Sequence, residues 1–134
     1  MILPDVNVLV HAHRADSPIH ATCQDVLDRN DLGLAPAALN GFLRLVTVGP
    51  FKPATPPATA LATVEEWLAR PGSRLLGPGP SYWSLFAGLC RRHGATGNAY
   101  YDVHLAALAI EQDLELWSVD RGFARFAGLR WRSP

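Results

Sequence analysis

Three aspartates stand in settings that would deliver them to one end of a parallel sheet. Asp5 closes an apolar start, Met1-Ile2-Leu3-Pro4, and opens a second apolar run, Val6 to Val10. Asp102 opens a helix, with His104, Leu105, Ala106, Ala107, Leu108, Ala109 and Ile110 behind it, and Asp120 follows the strand-like run Leu116-Trp117-Ser118-Val119. In open α/β sheets ligands bind outside the carboxyl ends of the strands, so acids at two strand ends and a helix start can converge. Burial and mutual repulsion make such a cluster costly unless a cation sits among the carboxylates and keeps them ionised. Mg²⁺ takes oxygen ligands, keeps several waters, and needs only one or two carboxylates plus a substrate phosphate. The chemistry available to such a site is the ionisation of water and the polarisation of a phosphoryl group for in-line displacement.

Each acid also has a local reading. Asp102 could complement a helix macrodipole as a cap or first-turn residue, and Asp120, ahead of Arg121-Gly122, could be a turn former. Asp5 has fewer structural uses, because an acid embedded between two apolar runs gains little there unless something binds it.

The elements that would position these residues alternate short apolar runs with longer helical ones, the pattern of βαβ units around a parallel sheet. Residues 1–4 read as a first strand and 6–14 as the turn and helix after it. Ser17-Pro18 starts a helix through about Arg29, with an N-cap and a proline in the first turn. Leu32 to Ala35 is a short strand, and Ala37 to Val48 a helix ended by Gly49-Pro50. Three prolines make Phe51 to Pro57 a loop. A helix over 58–69 presents Leu61, Val64 and Leu68 on one face, Arg74 to Leu76 reads as a strand, and Ser81 to about His93 is a helix with Leu85, Phe86 and Leu89 inward. Glu115 to Val119 and Leu129 to Trp131 are the last two strands.

At 134 residues the chain reads as one domain over 1–134, large enough for a real core. Hydrophobic residues at 49% and charged residues at 18% exclude a disordered chain. No apolar run reaches the ~18 residues of a membrane span, and the start lacks the order of a signal peptide, so a cytoplasmic protein is expected. Twelve basic residues balance twelve acidic ones, which removes any global pull on nucleic acid, although all the bases but Lys52 are arginines suited to phosphate or carboxylate. Cys23 and Cys90 lie within helical patterns without metal-ligand spacing and read as small buried hydrophobes.

Four segments resemble the PIN-domain ribonucleases, in particular the VapC toxins of bacterial toxin–antitoxin pairs, in register over nearly the whole length. They are Asp5-Val6-Asn7-Val8-Leu9, Gly41-Phe42-Leu43-Arg44-Leu45-Val46-Thr47, Tyr101-Asp102-Val103-His104-Leu105-Ala106-Ala107-Leu108-Ala109, and Ser118-Val119-Asp120-Arg121-Gly122-Phe123 with Phe126-Ala127-Gly128-Leu129-Arg130-Trp131 after it. The resemblance implies a three-layer α/β/α sandwich with a mostly parallel central sheet, dependence on Mg²⁺ or Mn²⁺, and endonucleolytic cleavage of structured RNA such as transfer or ribosomal RNA. It implies a VapB-type antitoxin and a homodimer as partners, and no membrane. Asp5 and Asp102 match the metal-binding acids, Asp120 the acid that completes the pocket, and Asn7 the small polar residue that orients the first aspartate.

The chain departs from the family pattern in two places. A glutamate usually precedes the segment Phe42-Leu43-Arg44, where this chain has Gly41 after Asn40, so one carboxylate of the usual quartet is missing and metal affinity should be lower. Pro4 removes a backbone donor directly before Asp5 and suggests that strand pairing ends there. A PIN fold that has lost its chemistry and only grips RNA or a protein is therefore the second reading. A phosphoacceptor domain built on Asp5 is a distant third, since Lys52 is poorly placed to serve it.

Other residues read as structural. His104 is two positions from Asp102, about 200° around a helix from it, so it is expected to pack rather than act as a base. His11, His13 and His20 lack the i, i+4 spacing of a zinc helix. Arg91-Arg92-His93 suits a helix C-terminus, Arg44 is the basic residue placed best for a phosphate, and Trp67, Trp83, Trp117 and Trp131 are spaced for core or interface.

Overall fold

In the computed structural model, which describes residues 1–49 and 51–134, five short strands are all parallel. The strand β1 (Ile2–Pro4) pairs with β4 (Glu115–Trp117), and β4 with β5 (Arg130–Arg132). The pair β2 (Gly33–Leu34) and β3 (Arg74–Leu75) joins β1 through a parallel bridge from Ile2 to Leu32 and a bond from the Ile2 amide to the Asp31 carbonyl at 2.9 Å. The strands therefore run β3-β2-β1-β4-β5 across the sheet. Chain connections leave β1 in one direction and return to its other side at β4, which makes the crevice above β1 and β4 the topological switch point.

Six helices cover the sheet: α1 (Val6–His13), α2 (His20–Asp28), α3 (Pro36–Thr47), α4 (Pro57–Ala69), α5 (Tyr82–His93) and α6 (Ala99–Glu111). Helix α1 packs on both α2 and α3, α3 packs on α4, α5 packs on α6, and α6 lies against β4, completing the α/β/α sandwich. The inner strands β1 and β2 are apolar because both faces of a parallel sheet are covered there, and Leu3, Leu34 and, on β4, Leu116 are sealed from solvent, whereas the edge strands β3 and β5 carry exposed arginines. Helix α6 brings Val103, Leu105, Ala106, Ala107, Leu108 and Ala109 inward, where small side chains let it sit close to the sheet.

The elements match the expected order, and differences gather at their ends. Ser17 does not cap α2. Its Oγ accepts from the Ile19 amide at 3.3 Å and meets His11 Nδ1 at 2.7 Å, and the helix starts at His20. Helix α3 runs on to Thr47; of the expected stop Gly49-Pro50, Pro50 lies outside the described residues. Leu61 is half exposed because α4 turns Ala60 and Val64 to the core instead. Pro4 does not end the pairing of β1, since it stays in register with Trp117 and the next amide, that of Asp5, donates to the Trp117 carbonyl at 2.9 Å. Trp83 is 70% exposed and so lies outside the core, although it stacks beside Phe86.

Candidate active site

Asp5 is the residue between β1 and α1, and its side chain caps the helix by accepting from the Val6 amide at 2.6 Å. An aspartate is favoured there because a helix N-terminus offers unpaired amides and positive potential. The carboxylate is almost fully buried and takes three further bonds: Tyr101 Oη donates to Oδ1 at 2.9 Å, and Asn7 Nδ2 and Ser118 Oγ each donate to Oδ2 at 2.7 Å. Burial pushes the Asp5 carboxyl above its ordinary value, the bonds from Ser118, Tyr101 and Val6 pull the other way, and the charge of Asp102 adds to the rise.

Ser118, just past β4, is the hub that ties the two central strand ends together. It is wholly buried and spends its one proton on Asp5, while its oxygen accepts from Asn7 Nδ2 and from the Asp120 amide, both at 3.0 Å. Asn7 closes the ring by accepting from the Val119 amide at 3.2 Å. Asn7 thus orients Asp5, as the family resemblance implied, and through Ser118 the backbone of Asp120 is fixed to the same network.

Asp102 lies in the first turn of α6 rather than at its start, because the helix begins three residues earlier at Ala99. Its Oδ2 accepts from the Arg125 guanidinium at 3.2 Å, an ion pair both of whose partners are partly exposed. Asp120 caps the 3₁₀ turn Arg121–Arg125 by accepting from the Gly122 amide at 2.7 Å, so the expected turn role holds for its Oδ1. Asp102 and Asp120 line one cleft of about 730 Å³ with Asn40, Gly41, Arg44, Asn98 and Tyr101, and Asp5 lies behind Tyr101 and Val6.

The structure therefore draws the three acids to the switch point in two layers, one buried and two lining the cleft. Among the described residues no three of His, Cys, Asp and Glu are grouped closely enough to hold a metal together. Each acid also spends oxygen lone pairs on neighbours within the protein. The donor set is nonetheless all oxygen, which fits a hard cation such as Mg²⁺ and not zinc. Asp5 and Asp102 are the residues that would hold it.

Gly41, where the family's carboxylate is missing, and Asn40 beside it both border the cleft. A Cβ built on Gly41 would stand 3.0 Å from Val6 Cγ2, whereas the exposed Asn40 side chain already borders the cleft. Arg44 borders it too, where a phosphate-binding residue was expected. His104 meets the Tyr82 hydroxyl at 2.6 Å through Nδ1, and burial lowers its pKa, so it packs between helices as anticipated. His13 faces Thr55 and His20 faces the His11 carbonyl, each partnered singly.

Sequence reasoning missed Tyr101, Arg125 and the hub role of Ser118. A serine between a strand and a turn aspartate carries no special mark in one sequence, and Tyr101 reads as one more aromatic at a helix start. The partner of Arg125 is 23 residues away in the chain, beyond the reach of any local pattern.

Comparison with known proteins identifies the family. The family model of the PIN domain matches residues 2–129. VapC ribonuclease Mb2897 of Mycobacterium bovis is 46% identical, with 100% of this chain and 95% of that protein covered. Ribonuclease VapC33 of Mycobacterium tuberculosis is 41% identical, with 100% and 98% covered. Among solved structures, VapBC2 from Rickettsia felis bound to a promoter DNA fragment matches with a TM-score of 0.71 at 17% identity, covering 100% of this chain and 99% of that one. VapBC-1 from nontypeable Haemophilus influenzae gives 0.70 at 17% identity, covering 99% and 98%. At that identity the two structures speak for the fold alone. On the family match and the full-length relatives together, the chain belongs to the PIN-domain family and, within it, to the VapC ribonucleases.

Proposed function

We propose that this protein is a Mg²⁺-dependent endoribonuclease, with Mn²⁺ as a substitute, that acts as the toxin of a toxin–antitoxin pair on structured RNA in the cytoplasm. The observation that carries the reading is the buried Asp5 carboxylate held at the end of β1 beside the cleft of Asp102 and Asp120. Keeping an aspartate there against desolvation is costly, and the surrounding bonds offset only part of that cost. Such a residue is retained where its charge is used.

In this reading Asp5 and Asp102 hold the cation and Asp120 completes the pocket. The bound cation would supply ionisation of the attacking water and charge stabilisation at the phosphorus. Asn7 and Ser118 fix the Asp5 carboxylate plane, so little reorganisation is left for the reaction. Arg44, exposed at the cleft rim, binds the RNA backbone. The partners proposed are a VapB-type antitoxin, which would answer the acidic cleft with an arginine or lysine, and a second copy of the chain. A single domain over 1–134 carries all of this, and no helix among the described residues is long and apolar enough to cross a membrane.

A second reading is favoured by one observation. With Asp102 paired to Arg125 and no three-acid group assembled, a PIN fold that grips RNA or a protein without cutting would have this same surface. Purified protein should cleave total RNA with Mg²⁺, and Asp5→Asn and Asp102→Asn should each abolish cleavage and growth arrest while keeping a native far-UV spectrum. Two folded variants as toxic as the parent would refute the nuclease. A parent that binds a nonhydrolysable RNA but no Mn²⁺ would establish the binding module.

A further inference from the structure

A carboxylate offers about four lone-pair directions, and all four on Asp5 are taken. Oδ1 accepts from the Val6 amide and Tyr101 Oη, and Oδ2 from Asn7 Nδ2 and Ser118 Oγ. The four donors differ in how firmly they are held. The Val6 amide belongs to the first turn of α1, Ser118 is wholly buried and engaged by two more groups, and Asn7 is pinned by the Val119 amide. Tyr101 alone among the four is a side chain that lines the cleft, and its hydroxyl has only one other neighbour, the Val6 amide at 3.4 Å.

We infer that Tyr101 is a positioning residue that guards Asp5: its hydroxyl, the one donor to this carboxylate from a side chain lining the cleft, holds Oδ1 and competes with a divalent cation for that oxygen. This rests on the reading of Asp5 as a metal ligand. The hydroxyl keeps the buried charge solvated within the protein when no cation is present, and it competes with the cation for one oxygen. Tyr101 therefore lowers metal affinity while stabilising the buried Asp5 charge.

The test is Mn²⁺ binding by calorimetry, with free Mn²⁺ read independently by its electron paramagnetic resonance signal, on the parent, Tyr101→Phe and Asp5→Asn. Removing one hydrogen bond to the carboxylate should tighten Mn²⁺ binding by roughly threefold to tenfold in Tyr101→Phe. Asp5→Asn should lose it. A residue with a merely structural role would leave the affinity unchanged or weaken it, and either result in Tyr101→Phe, with Asp5→Asn still losing binding, overturns the guard and leaves the nuclease reading intact. Equal binding by the parent and Asp5→Asn overturns the reading of Asp5 itself. Should Tyr101→Phe fail to fold, the parent carrying 3-fluorotyrosine decides the matter by ¹⁹F resonance, with Tyr82→Phe and Tyr100→Phe assigning the other two tyrosines. The Tyr101 signal must shift on Mg²⁺ addition, and a signal that stays in place while Mg²⁺ binds overturns the guard.

Discussion

Replacing Ser118 with alanine removes one oxygen and three hydrogen bonds from the point where β1 and β4 meet. Asp5 Oδ2 keeps Asn7 but loses a donor at 2.7 Å, and the Asp120 amide loses its acceptor at 3.0 Å. A hydrogen bond to a charged group is worth about 1.5–3 kcal/mol and an unpaired buried donor costs about 1–3 kcal/mol. The two do not add in full, because Asp120 itself is exposed and water can reach its amide. A net loss near 3 kcal/mol follows, or roughly a 10 °C fall in Tm at ~3–4 °C per kcal/mol for a chain of this length. The loss also depends on pH in a defined direction. Among the bonds that favour ionised Asp5, that from Ser118 is the strongest, so its removal hurts most where Asp5 is charged. The deficit should be full at neutral pH and shrink as pH falls through the folded pKa of Asp5, which lies above the ordinary 3.8. Thermal and urea melts of parent and variant, without divalent ions, at neutral and acidic pH measure both quantities. A deficit under about 0.5 kcal/mol at neutral pH, or one that does not shrink on acidification, would refute the account of the network.

Two further outcomes follow from the same geometry. Because the folded pKa of Asp5 is raised, the native state binds more protons than the unfolded one between pH 3.8 and that value, so metal-free stability should fall as pH rises through this window; Asp5→Asn should lack that slope in a series of melts, and an identical slope would rule the idea out. Asn40→Glu should fold within about 0.5 kcal/mol of the parent and tighten Mn²⁺ binding, whereas Gly41→Glu should cost about 1–3 kcal/mol because its Cβ presses on Val6; melts and calorimetry on the pair would expose the reverse order.

The fold was largely legible because the parallel sheet leaves strong marks: apolar runs too short for helices, each followed by a helical period, with acids at the ends. What failed were element edges, where tertiary contacts decide. Ser17 looked like a cap, but its hydroxyl is drawn to Ile19 and His11. Leu61 fitted an apolar stripe, yet α4 rolls so that Ala60 packs inward and leaves it half exposed. The candidate site was legible as a set of acids and not as a geometry. That Asp5 would be saturated by four donors depends on Tyr101 and Ser118, which are 96 and 113 positions away. Nor could local pattern show that a side chain at 41 would meet Val6.

The pairing of β1 with β4 has a consequence for how such a protein is made. The strand β1 waits for a neighbour that begins at Glu115, far along the chain, before that edge is satisfied. Until then Asp5 has neither Ser118 nor the floor of Trp117 to hold it, so a chain still in synthesis carries the acid without its setting. A chain that stops short of β4 would therefore lack the Ser118 and Trp117 bonds of Asp5, so the setting of this carboxylate forms only when the late strands dock.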